Sequence, residues 1–365
     1  MRNACIVVKM NKNSLFQTEI GGITDVFSKN GYAFDEIRTL VFQHDWLAEI
    51  LQVAEKNYEN VLLLCEKSLF SAIEEILSSL GGEFLKGAIS AGVYFKRKFS
   101  LFLISLEEKE DGAEFVWRAC IPHLVKKYGT RFDRMIIRAI GAPVGKAEEL
   151  ISTAKRISGG DLAYNHIRSY DEDVIEIFYG ANVSRMLTDD VLRLFADGLQ
   201  EYIYALDDKT IEEQLLEILK LRGKKLSVAE SFTGGGVGRR IVSVSGASEV
   251  YFEGLNTYNE LSKMKRLGVR EYTLKSFGAV SDETVYEMAA GLIAAGDADI
   301  SIATTGLAGP KSDRTELPVG LSFIAIGTKE KVHVYRFKFE GTRKEITEKA
   351  INHALFLAYR QLKDI

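Results

Sequence analysis

The stretch Leu226–Gly238 (LSVAESFTGGGVG) constrains the fold of this chain more than any other. Leu226–Ala229 reads as a short buried strand, and Glu230, Ser231 and Thr233 bring polar side chains to its carboxyl end. Three glycines then lead into Val237–Val244, which continues as a helix. Strand, polar turn, glycines and helix in that order are how α/β proteins turn backbone N–H groups toward an anion. The free amides and dipole at a helix N-terminus favour negative charge, and glycine lets a ligand approach. Two named phosphate loops are excluded. No Lys-Ser/Thr follows the glycines, and Arg239 stands where GxGxxG requires its third glycine. A hydroxyl beside an acid at a strand end fits nucleophilic catalysis or nucleotide binding; a helix cap in a tight turn is the structural alternative.

A chain of 365 residues is too long for one ordinary core and predicts two or three domains. Hydrophobic residues make up 46% and charged residues 27%, the balance of a water-soluble globular chain. A net charge of −4 and a pI near 5.9 give no electrostatic reason to expect nucleic acid. No apolar run approaches the roughly 20 residues of a membrane helix, and the first residues enter a strand without a signal-peptide pattern. Cys5, Cys65 and Cys120 are far apart in apolar surroundings, which suits reduced core thiols in a cytoplasmic protein. Five scattered histidines form no metal-binding spacing, so neither a metal nor a cofactor is expected.

Three segments follow. Residues 1–128 alternate apolar strands (Ala4–Val8, Phe34–Val41, Val61–Cys65) with amphipathic helices (Ile20–Asn30, Trp46–Lys56, Leu69–Ser79), predicting a doubly wound parallel sheet. The charge run Glu107–Gly112 reads as a solvated loop before a helix over Glu114–Ala119. Residues 129–205 form a small α+β unit: strand Arg134–Ile140, helix Lys146–Ile157, strands Leu162–Ser169 and Asp173–Tyr179, and helix Thr188–Tyr204 with Thr188 as its cap. Its Gly141–Gly145 turn has the wrong spacing for the GXXG clamp of RNA-binding KH modules, which leaves a spacer or interface role. Residues 206–365 are again α/β. Strand Asp299–Thr304 runs into a second glycine turn at Thr305–Pro310, and a helix from Lys344 closes the chain.

In the third segment six motifs occur in order: Ala229–Gly235 (AESFTGG), Thr257-Tyr258 with Lys263, Gly278–Ser281 (GAVS), Thr305–Pro310 (TGLAGP), Pro318–Gly320 (PVG) and Gly341–Arg343 (GTR). Together they closely resemble the C-terminal domain of the CinA family, the nicotinamide-nucleotide amidases. The order of segments also resembles full-length members, which have an N-terminal domain like molybdopterin-binding proteins and a small KH-like linker domain. The resemblance implies hydrolysis of the carboxamide of nicotinamide mononucleotide to nicotinic acid mononucleotide and ammonia, in pyridine-nucleotide recycling. Ser231 is then the nucleophile. With no histidine in any motif, Lys263 or Tyr258 takes its proton. A lysine must first be lowered from about 10.4 by burial or by a neighbouring cation. Arg343 either supplies that cation or holds the ligand phosphate as a planar fork. Thr305 and the Gly306 turn are candidate donors to the oxyanion or ligand. Glu230, Thr233 and the glycines Gly234, Gly235 and Gly236 are assigned to substrate binding, the glycines to the phosphate.

Departures from the family pattern are specific. Phe277 replaces a usual histidine, Thr347 a second arginine, and Leu317 a frequent lysine. In the first segment Lys9-Met10-Asn11 stands in place of a Gly-Thr-Glu turn, Cys65–Phe70 in place of a glycine-rich loop, and Leu103–Glu108 in place of a proline-rich motif. That domain is expected to be a scaffold that has lost the family's metal-dependent ADP-ribose pyrophosphatase site. The resemblance also implies a homodimer built through the N-terminal parts. A non-catalytic nucleotide-binding or interaction protein, linked to competence or DNA damage, is the competing reading.

Overall fold

The computed structural model describes residues 2–11, 17–87, 91–106, 115–128, 132–180, 182–310 and 317–363. The expected loop Glu107–Gly112 lies outside them. The described residues form two compact units, one of Met1–Arg134 with Gly159–Ala163 and Ile177–Arg185, the other of Met135–Ser158, Tyr164–Glu176 and Met186–Ile365. Three sheets run through the chain, one in each segment read from the sequence.

The first sheet contains β1 (Asn3–Lys9), β2 (Glu36–Val41), β3 (Asn60–Cys65), β4 (Glu83–Lys86), β5 (Ala91–Lys96) and β6 (Phe99–Ser105), in the order β2-β1-β3-β6-β5-β4. Helices α1 (Gln17–Lys29), α2 (His44–Asn57) and α3 (Phe70–Ser79) connect its early strands. The parallel expectation holds for β2, β1, β3 and β6, whereas β5 and β4 add antiparallel strands at one edge. The central strands β3 and β6 are buried along their whole length, because cores cover both faces of the sheet. Of the helix expected over Glu114–Ala119, Glu114 lies outside the described residues; Val116–Cys120 form a π-helical turn that continues as α4 (Ile121–Tyr128).

The second sheet has the order β10-β7-β9-β8, built from β7 (Phe132–Ile140), β8 (Leu162–Ser169), β9 (Glu172–Gly180) and β10 (Ile203–Ala205). Helices α5 (Lys146–Ser158) and α6 (Arg185–Leu199) belong to the same segment. Thr188, expected to cap α6, lies inside that helix and is buried.

The third sheet carries the six motifs. Helix α7 (Ile211–Leu221) opens the segment with a capping box, in which Thr210 and Glu213 satisfy each other's backbone. Then come β11 (Leu226–Glu230), α8 (Gly236–Val242), β12 (Tyr251–Asn256), α9 (Glu260–Leu267), α10 (Glu271–Phe277) and α11 (Asp282–Ala294). Strands β13 (Ile300–Gly306), β14 (Leu321–Thr328) and β15 (Val332–Lys338) precede α12 (Arg343–Lys363). The sheet order is β12-β11-β13-β14-β15, with β11 parallel to β12 and β13 and the other pairs antiparallel. Leu226 and Val228 face a core shared with α7 and α12, and Ala229 faces the core built on α11. Burial on both faces is why Leu226, Val228 and Ala229 are all apolar. The carboxyl ends of β11, β12 and β13 therefore lie side by side, with Glu230 in register with Asn256 and Thr304. Ligands of open α/β sheets bind at such an edge.

Candidate active site

Ser231 is the first residue beyond β11. Its N–H donates to the Thr304 carbonyl at 3.1 Å, and its own carbonyl accepts the Gly234 N–H at 3.1 Å. The turn is thus tied to β13 on one side and closed on itself on the other. Ser231 is only 8% exposed.

Lys263 comes to it from the next motif. Asn259 caps α9 by accepting the Leu261 N–H at 2.9 Å, and Gly268, with φ 70°, ends it in the left-handed conformation that glycine adopts freely. Within that short helix Lys263 and Leu267 fall one turn apart on the buried side. Lys263 is 1% exposed, an extreme burial for a lysine. Its Nζ lies 2.9 Å from Ser231 Oγ and donates to the Thr257 carbonyl at 2.7 Å, with the Tyr258 carbonyl at 3.5 Å. Desolvation disfavours the charged form and lowers the amine to about 8, against a smaller opposing pull from Glu260. Burial is the leading cause, and Arg343 is not needed as a neighbouring cation.

A cavity of about 330 Å³ opens on this pair, within the range of small-molecule sites. Ser231, Phe232, Lys263 and Tyr258 line one part. Ala279 and Val280 line another, and the Thr305–Gly309 turn and Arg343 complete it. Arg343 is exposed at the mouth, and its Nη1 donates to the Gly309 carbonyl at 2.7 Å. The planar guanidinium keeps further N–H donors for an anion. The Phe232 N–H, immediately after the serine, has no hydrogen-bond partner among the described residues. That is the backbone donor position that commonly serves an oxyanion.

Six sequence assignments meet here: Ser231, Lys263, Tyr258, Thr305, Gly306 and Arg343 all line the cavity. Two of them make contacts that bear on their assignments. Tyr258 is 64% exposed, and the serine–lysine contact is complete without its phenol. Thr305 donates its hydroxyl to the Ala279 carbonyl at 2.6 Å, so the proton expected for an oxyanion instead holds the Gly278–Ser281 loop. The assignments of Glu230, Thr233, Gly234, Gly235 and Gly236 to substrate do not fit the geometry, since none of the five lines the cavity. The Glu230 carboxylate, 2% exposed, accepts the Val237 and Gly238 N–H groups at 3.0 and 2.8 Å. The helix N-terminus is already occupied by an internal anion. Gly236 N–H is spent on Thr233 at 3.0 Å, and Thr233 Oγ1 lies 2.7 Å from Thr304 Oγ1. Gly234 and Gly235 adopt φ of 62° and 90°, so glycine is needed here for backbone shape.

The lost site expected in the first segment falls at the carboxyl ends of β1 and β3. There the Met10 N–H donates to Glu66 Oε1 at 2.9 Å, which ties the ends of β1 and β3 to each other. The unit's cavity of about 290 Å³ lies at the other, amino end of β1 and β2, beside Ala4, Ile6, Glu36 and Arg38. Its one thiol, Cys5, is pushed up to about 12 by burial and is unreactive.

Among the described residues, no helix is long and apolar enough to cross a membrane. The profile of the CinA C-terminal domain matches residues 208–362. A relative from Caldicellulosiruptor saccharolyticus, named for competence-damage induction, is 48% identical over 157 residues, which are 43% of this chain and 38% of that one. A similarly named protein of Caldanaerobacter subterraneus subsp. tengcongensis is 28% identical over 375 residues, covering 98% of this chain and 86% of the other. Among solved structures, a competence or damage-inducible protein from Enterobacter asburiae is 34% identical, with a TM-score of 0.41 over 42% of this chain and 96% of that one. The match thus spans less than two thirds of the Caldicellulosiruptor relative. Through its C-terminal domain, this chain belongs to the CinA family.

Proposed function

We propose that the C-terminal domain is an amidohydrolase that deamidates nicotinamide mononucleotide with a Ser231–Lys263 pair. The carrying observation is the buried lysine amine, 2.9 Å from the serine hydroxyl and lowered to about 8, at the floor of a cavity with a guanidinium at its mouth. A solvated surface lysine would have neither property.

The chemistry follows from those groups. Neutral Lys263 accepts the Ser231 Oγ proton as Oγ bonds to the carboxamide carbon, and the carbonyl π pair moves onto oxygen. The Phe232 N–H meets the developing oxyanion. Collapse of the tetrahedral adduct breaks the C–N bond, and the Lys263 ammonium returns its proton to the leaving nitrogen, releasing ammonia. Water then attacks the acyl-enzyme, giving Lys263 its proton, and the carboxylate product leaves as Ser231 Oγ is reprotonated. Arg343 supplies a bidentate partner for the substrate phosphate. The first unit is proposed as a scaffold without catalysis, since the β1 and β3 ends are tied together where a phosphate loop would lie.

Ammonia release from nicotinamide mononucleotide by the full chain, beside Ser231→Ala, tests the assignment. The expected result is turnover that falls by about 10⁴-fold or more in the variant, with ligand affinity retained. Nucleotide bound by the wild type without ammonia release would refute the amidase and leave a binding protein.

A further inference from the structure

Glu230 has no place in the chemistry just described, yet it is a fully buried carboxylate beside the nucleophile. Its side chain spans the start of α8, one oxygen accepting the Val237 N–H and the other the Gly238 N–H. Its main chain does something else. The Glu230 carbonyl accepts the Thr257 N–H at 2.7 Å, with Thr257 Oγ1 at 3.4 Å. The Thr257 carbonyl in turn accepts Lys263 Nζ at 2.7 Å. One residue is therefore joined by its side chain to the helix that closes the serine turn, and by its main chain to the carbonyl that aims the lysine.

We propose that Glu230 is the positioning residue of the serine–lysine pair, holding the Ser231 turn through α8 and the Lys263 amine through the Thr257 carbonyl. This rests on the amidase reading for its substrate, though not for its geometry. A neutral amine has two hydrogens and one lone pair. With one hydrogen committed to Thr257 and the Tyr258 carbonyl nearby at 3.5 Å, the lone pair is left for the Ser231 hydroxyl. The Thr257 carbonyl thus does for lysine what a buried carboxylate does for histidine in a Ser-His-Asp triad. The same carboxylate fills the amides of the α8 N-terminus, so a ligand anion has no claim on them.

The test uses the full chain carrying Glu230→Gln or Glu230→Asp. The glutamine cannot accept from both amides, and the aspartate keeps the charge without the reach. Two readouts are taken: phosphonylation of Ser231 by a fluorophosphonate, in which Oγ bonds to phosphorus and fluoride leaves and which needs no natural substrate, and the pH profile of ammonia release. Both variants are expected to be phosphonylated roughly tenfold or more slowly, as a misplaced pair should. In both, kcat falls while KM stays within about twofold, and the rising limb moves up from near pH 8 toward the ordinary lysine range as the amine loses its fixed site. Folded variants with wild-type phosphonylation and an unmoved limb would overturn the proposal. If the glutamine variant does not fold, the aspartate variant decides alone. Wild type that is phosphonylated but releases no ammonia would sink the substrate assignment and leave Glu230 to be judged by phosphonylation. Wild type that is not phosphonylated would overturn both.

Discussion

Replacing Lys263 by methionine tests the central physical claim, that this amine is held in the fold at the expense of its charge. Methionine keeps an unbranched stem of similar length, so packing changes little. In wild type the folded amine titrates near 8, against an ordinary value of 10.5. Between those two values the unfolded chain holds a proton on Lys263 that the folded chain does not, so stability rises with pH across that window. Below about pH 8 both states are protonated, and the folded state carries the full cost of a buried charge, about 3 kcal/mol at 1.36 kcal/mol per pH unit. Integrated from pH 7 to pH 10, wild type should gain about 2.5 kcal/mol over Lys263→Met. The Thr257 carbonyl left without its donor is a pH-independent loss and cancels from that difference. Urea unfolding of both proteins at the two pH values measures it. Far-UV circular dichroism is the suitable signal, because Trp46 and Trp117, the chain's two tryptophans, both lie outside the C-terminal segment. A wild type and variant whose difference changes by less than about 0.5 kcal/mol would refute a lowered lysine. The same titration should give kcat/KM a limb that rises with pH through about 8.

Two further substitutions separate roles around the cavity. Tyr258→Phe should leave kcat within about threefold, because the exposed phenol is not needed to complete the serine–lysine contact; a loss of about 100-fold or more would make Tyr258 the base. Arg343→Ala should raise KM for nicotinamide mononucleotide about tenfold or more, with a smaller change in kcat, if the guanidinium that holds the Gly309 carbonyl also meets the substrate phosphate as proposed. An unchanged KM would remove Arg343 from the site.

What the sequence conveyed was position, and what it left out was commitment. Ser231, Lys263, Tyr258, Gly306 and Arg343 could be placed from motif order, and all five line the cavity. That Lys263 is buried is invisible in Glu260–Leu267, a polar stretch that reads as a surface helix; its amine is received inside by the Thr257 carbonyl and Ser231 Oγ. For Glu230 and Thr305 the structure shows partners inside the protein, the Val237 and Gly238 amides for the carboxylate and the Ala279 carbonyl for the hydroxyl. A sequence does not say whether a carboxylate or a bound anion takes the amides of a helix, nor which carbonyl a threonine meets. In the first segment the alternating strands and helices give β1, β2 and β3, whereas the parallel strand β6 and the antiparallel β4 and β5 are not foreseen. Glu83–Lys86 is short and largely exposed, and Ala91–Lys96 gains its place only by pairing with β6.

The strand, polar turn, glycines and helix at Leu226–Gly238 have the outline of a phosphate loop, and the structure gives that outline another use. A helix N-terminus left open would attract the substrate's phosphate to the nucleophile itself, where negative charge raises the energy of the developing oxyanion. Glu230 fills those amides from inside, and its charge is spent on two N–H groups. In the proposed function anion recognition then falls to Arg343, which lines the cavity from a different element. On that reading the reacting end keeps an amine that is neutral above about pH 8, and the binding end keeps a planar guanidinium. The proposed substrate, carrying a carboxamide at one end and a phosphate at the other, would then meet a suitable group at each. Its charged end is kept off the base, whose lowered value depends on a dry, weakly charged surrounding.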